Sequence, residues 1–435
     1  MSLRISILSR PLIKNSFIYV VTDGINKAIP FLLLPIITYY IIPSEYGLIT
    51  NFNVLVQILS VFCYSSTLAA LPARFYRLDG EQIKKYVSNM LILNTLITIL
   101  VLFLLLLFNQ FIEVKLKISL LFQIGAIILV WSASITNVNL VLWRCEERAF
   151  AFGKYQISQS LLNAITTIVF VIICLLGWKG RVYSYIFSSF VFGLFSLFLL
   201  RRKGYLELSI SKDYIKQILY FGIPLIPLAI SYWFKSGFDK IIITDLCGMA
   251  ENGLYSVAMT LGAIVTMVLS SFNGAYGPYV FKKLAYFDES TNSLTNEKRQ
   301  LVKLTYGFIA LMILLIFIIY WISYAIIYFV YDFSYRESVK YLPYIMISQF
   351  FYGGYLMFVH YFYHCSKTKI LGIVTFLLSV AQILLAYFLI KNIGAVGVVI
   401  ASALISFLTF VFVMVYAMRI YKLPWLNFKA GKIYK

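Results

Sequence analysis

Apolar runs long enough to cross a bilayer recur along the whole chain, separated by short polar breaks. Twelve can be drawn, at roughly 15–42, 46–70, 87–109, 118–142, 155–177, 182–200, 214–246, 252–278, 301–329, 341–364, 370–390 and 394–418. Each reaches or approaches the ~20 residues that a helix needs to span the hydrocarbon core. Strands of a transmembrane barrel would instead alternate over about ten residues. The pattern therefore predicts an all-α polytopic membrane protein. The first run follows basic residues but is too long for a signal-peptide core, and no A-x-A site follows it, so it reads as a retained helix.

A repeat organises these spans. Ser44–Thr50 reads SEYGLIT and Ala250–Ser256 reads AENGLYS, an offset of 206 that also carries Pro72 onto Pro278 and Phe75 onto Phe281. Further on the offset is 219, taking Gly153 to Gly372 and Asn163 to Gln382; the hydrophilic stretch 282–300 absorbs the difference. Two six-helix lobes, 1–204 and 205–435, are expected, in a parallel repeat about an axis along the membrane normal. Both prolines are expected to end their helices. Taken singly, each E-x-G-L is a turn in which glycine serves a tight reversal; that does not explain the shared offset.

Composition sharpens the picture. Residues are 61% hydrophobic and 12% charged, and mean hydropathy is +0.87. The net charge of +20 would suit a nucleic-acid partner, but its distribution points elsewhere. Of 37 Lys and Arg, 27 fall on the side holding both termini, 7 on the other, and Lys27, Lys235 and Lys240 lie inside spans. The positive-inside rule places the richer side, with both termini, in the cytoplasm. No basic soluble module is present to bind nucleic acid. No P-loop occurs, so coupling is expected from an ion gradient, a concentration gradient or a partner. Five scattered cysteines without C-x-x-C spacing give neither a disulfide framework nor a zinc site.

The candidate chemistry lies in the charges within spans. The run 218–246 holds fourteen Leu, Ile or Phe residues, worth about −4 to −8 kcal/mol of insertion, against about +8 to +10 for Lys235, Asp239 and Lys240. Such charges belong on a bundle interior or a wet cavity rather than against lipid. Lys235 and Asp239 share a helix face, as do Asp23 and Lys27 in the first span. Both spans carry proline pairs, Pro30/Pro35 and Pro224/Pro227, which suit kinked helices lining a cavity. A central aqueous cavity is expected, lined by Asp23, Lys27, Lys235, Asp239, Lys240 and Asn273, with Arg74 at its inner mouth. The competing readings are structural Lys–Asp clips, interfacial snorkelling by Lys240, and a topological anchor at Arg74. The stripe Gln156, Ser158, Gln159, Ser160, Asn163, Thr166, Thr167 is either cavity lining or helix–helix glue. His360 and His364 read as interfacial rather than metal-binding.

The segment FGIPLIPLAISYWFKSGFDKIIITDLCGMAENGLYSVA resembles the polysaccharide flippases, the O-antigen-type repeat-unit exporters of the multidrug/oligosaccharidyl-lipid/polysaccharide superfamily. The PSEYGL turn resembles its first-half counterpart. The likeness implies a multidrug-exporter-like fold over essentially the whole chain. It implies an undecaprenyl-pyrophosphate-linked oligosaccharide as substrate, moved to the outer leaflet for O-antigen, capsule or exopolysaccharide assembly. It implies no catalysis, cofactor or metal; membrane lipids, a coupling ion and other assembly proteins would be the partners. Two alternatives stay open: a multidrug or cation antiporter of the same fold, and a membrane polymerase or ligase. The latter would need outer-face acids, and Glu45, Glu113, Asp245, Glu251, Asp332 and Glu337 sit only on short turns.

Overall fold

Helix ends follow local chemistry. Asp79 accepts from the Gln82 amide at 2.8 Å while the Gln82 side chain returns to the Asp79 amide, a capping box opening the third membrane helix. Ser211 caps the helix that begins at Lys212. In the computed structural model the described residues are 10–207, 209–289 and 295–425; the side chains of 10–14, 16, 17, 232, 235 and 236 fall outside the description.

The described chain is nearly all helical: α1 (Arg10–Thr38), α2 (Pro43–Phe75), α3 (Gly80–Leu107), the short α4 (Asn109–Leu116), α5 (Leu120–Cys145), α6 (Ala149–Ile173), α7 (Gly177–Arg202), α8 (Lys212–Gly222), α9 (Ile226–Leu246), α10 (Met249–Glu289), α11 (Thr295–Val330), α12 (Leu342–His364), α13 (Thr368–Ile393) and α14 (Val396–Ile420). Among the described residues, 12 helices are long and apolar enough to cross a membrane. The seventh joins α8 to α9 through a one-turn 3₁₀ break at Ile223–Leu225, which holds Pro224 next to Pro227 at the start of α9. Helix α1, by contrast, runs on through Pro30 and Pro35. Helix α10 also continues past Pro278, to Glu289, where a helix end was expected. A proline removes only one intrahelical hydrogen bond, and beyond it the chain turns polar. There Lys283 pairs with Glu297 at 3.1 Å, tying the end of α10 to the start of α11.

The chain folds as two compact units, Met1–Gly253 and Leu254–Lys435. In the first, α5 is central, packing on α2, α3 and α7, and α1 lies along α6. The connection after α7 is pinned to α3: Asn89 donates to the Ser209 carbonyl at 2.9 Å and accepts from the Ser211 amide at 2.8 Å. Helix α9 lies on α2, where Trp233 donates to the Val54 carbonyl at 3.1 Å, and Lys115 of α4 pairs with Asp245 at 2.9 Å.

The E-x-G-L motifs meet each other. A Cβ on Gly47 would collide with the Met249 carbonyl oxygen, and one on Gly253 with that of Pro43. The glycines thus serve backbone contact between α2 and the start of α10 rather than chain reversal. Beneath them Asn51 accepts from Asn252 at 2.8 Å and Thr244 at 3.2 Å, and donates to the Leu116 carbonyl at 2.8 Å. The Glu45 carboxylate accepts the Trp178 amide, closing the start of α7 rather than its own helix.

In the second unit α12 packs on α14 and α11, and α13 on α14. After α14 the chain folds over the ends of its neighbours. Buried Trp425 packs on Phe358 and Tyr361 at ring distances of 5.4 and 5.6 Å. Asp288 accepts from Tyr421 at 2.8 Å and sits 2.6 Å from His364 Nε2.

Candidate transport site

Helix α1 presents two faces. One packs inward: Thr22 is buried against Gly153 of α6, and Asn26 donates to Gln156 at 2.9 Å while accepting from Ser160 at 2.9 Å. The other carries Asp23 and Lys27, both exposed. Although one turn apart, they are not within 4.0 Å of each other, and neither has an ion-pair partner among the described residues. A structural clip would place a partner there. Two bare charges inside an apolar span need water or a charged ligand.

Arg74 stands in the last turn of α2, half-buried and likewise without a carboxylate partner among the described residues. On α9, Asp239 is buried at 6% exposure and Lys240 is half-buried, with no ion pair of its own among the described residues. The Lys235 side chain lies outside the description. These residues all belong to the first unit.

Asn273 belongs to the second, on α10. Its Oδ1 lies 2.9 Å from His360 Nε2, and Gly277 leaves room for the imidazole, whose Cε1 would be 2.9 Å from a Cβ there. His360 is 6% exposed, packed inside the second unit, and its Nδ1 has no partner among the described residues. Sequence offered no sign of this, because the glycine that admits the ring lies 83 positions away. His364 does sit at a helix end, on Asp288.

The α6 stripe is mostly glue. Gln156 and Ser160 hold α1, Asn163 accepts from Arg181 at 3.0 Å and donates to Ser188 at 3.0 Å, and Arg181 also reaches Thr167. In the count of bases by side, Arg181 is one of the 7 opposite the termini, where its place near a helix start makes it read as a loop base. It is buried at 4% exposure, with its guanidinium 4.1 Å from the Tyr185 ring centroid and no carboxylate within 4.0 Å among the described residues.

The profile of the family described as "Polysaccharide biosynthesis protein" matches residues 12–283, more than half the chain. The chain belongs to that family. A relative from Haemophilus influenzae, "Lsg locus putative protein 1", is 23% identical over 414 residues, covering 91% of this chain and 97% of its own. An "Uncharacterized membrane protein" of the same organism is 24% identical over 281 residues, covering 63% of this chain and 66% of its own. Among solved structures, "Lipid II flippase MurJ, inward closed conformation" superposes with a TM-score of 0.67 at 16% identity, covering 93% of this chain and 87% of that one. An inward-facing multidrug resistance MATE family transporter of the MOP superfamily gives 0.63 at 17% identity, covering 92% and 98%. The family member thus has the fold that these two solved structures share.

Proposed function

We propose that this protein is a flippase that moves an undecaprenyl-pyrophosphate-linked oligosaccharide from the cytoplasmic to the outer leaflet of a bacterial inner membrane, with both termini cytoplasmic. The product would serve O-antigen, capsule or exopolysaccharide assembly. One observation carries the reading: Lys27 and Asp23 stand exposed within the first span, with no ion-pair partner among the described residues. A pyrophosphate would complete a lysine as a point charge. Arg74 and Lys240 offer further cations, Lys235, Asp239 and Asn273 complete the proposed substrate-contacting set, and a coupling ion would use the acids. Family membership supports the polysaccharide pathway. The one-sided excess of Lys and Arg supports the orientation.

The test is charge reversal of Lys27 and Lys235, singly and together, scoring surface glycan, accumulated lipid-linked precursor and protein level in the membrane. Glycan lost with precursor retained, at normal protein level, is the expected result. Normal glycan in the double variant would refute the site. Intact glycan with raised drug sensitivity after gene deletion would instead make the protein an antiporter.

A further inference from the structure

We propose that the groove between α1 and α6, on the N-terminal side of the first unit, holds an anionic glycerophospholipid of the adjacent leaflet. The cavity measures about 420 Å³. Its floor is bare backbone: at Gly153 a Cβ would stand 2.5 Å from Thr22 Oγ1, so the helices touch there and part on the open side. Val21 and Ile157 form apolar walls. Val21 and Phe150 are 40% and 75% exposed, so the open side is apolar and suits acyl chains rather than water. The size suits one flexible chain segment.

Among the described lining residues Lys154 is the one charged group. Lys154 lines the groove, is exposed, and has no ion-pair partner among the described residues. Its neighbours are occupied: Arg148 pairs with Glu146 at 3.5 Å, and Arg144 lies over the Phe152 ring at 4.9 Å. Lys154 stands little more than a turn into α6, near the end of a membrane helix where headgroups would lie, with Ile157 about one turn further along. A cation beside an apolar slot matches a lipid with a phosphate and a chain. Its described lining offers only Thr22, Lys154 and Ser158 as polar side chains, too few to match the many hydroxyls of a sugar. This site is therefore separate from the proposed transport site, and it stands or falls independently.

The experiment is native mass spectrometry of the purified full-length protein, with phosphatidylglycerol and phosphatidylcholine of matched chains. The wild-type protein is expected to retain phosphatidylglycerol about fivefold better. Lys154→Gln should abolish that preference while leaving phosphatidylcholine retention unchanged, and Lys154→Arg should restore it. Ile157→Trp, which fills the slot, should lower retention of both. Equal retention by the wild-type protein, or a preference that survives Lys154→Gln, would overturn the proposal. Lys154-dependent displacement of phosphatidylglycerol by undecaprenyl phosphate would also overturn it, by assigning the groove to a prenyl chain.

Discussion

Replacing Gly253 with alanine should destabilise the protein although alanine is the better helix former. Both Gly47 and Gly253 lie inside helices, where propensity alone favours alanine by about 1 kcal/mol. Packing opposes this, because the new methyl would occupy the position of the Pro43 carbonyl oxygen. That obstacle is backbone on the opposing helix and cannot rotate away, so the helices must separate. Overpacking of this kind costs about 1–3 kcal/mol. Separation also stretches the Asn252 bonds to Asn51 and Thr244, at 2.8 and 2.9 Å, each worth about 1 kcal/mol. The net expectation is a loss of about 2–4 kcal/mol, or roughly 2–4 °C in apparent Tm. Thermal unfolding of the purified protein in detergent, followed by intrinsic fluorescence, reads it directly. Gly372→Ala is the internal control, since nothing lies within 4 Å of its would-be Cβ; it should be neutral or stabilising. A Gly253→Ala protein as stable as that control would refute the close-contact reasoning.

Other outcomes follow from the same geometry. Lys27→Ala should change stability by no more than about 0.5 kcal/mol, because no partner is orphaned, whereas breaking a buried clip would cost about 3–5 kcal/mol; thermal unfolding separates the two. Asn89→Ala should free the connection held at Ser209 and Ser211, speeding trypsin cleavage after Lys212 by on the order of tenfold in a time course on gels. A double-mutant cycle of His360→Ala and Asn273→Ala should give a coupling of about 0.5–3 kcal/mol in unfolding, and strict additivity would deny the contact.

Much of the architecture was written in the sequence, because the bilayer makes it so. Spanning segments must be long, apolar and helical, and those demands are local. The duplicated E-x-G-L motifs and the charges at positions 23, 27, 239 and 240 could likewise be found by counting. Partnership could not. Asp23 and Lys27 have the spacing of an ion pair yet are not paired, while the widely separated His360 and Asn273 are. Arg181 looked like a loop base and is buried in the α6–α7 contact. Gly47 and Gly253 looked like turn residues, each explicable alone. Only the packing of α2 against the start of α10 shows that they exist for one another. Hydrophobic periodicity reports which environment a residue needs. Which distant residue supplies its hydrogen bond, its clearance or its countercharge depends on helices that meet only when the chain has folded.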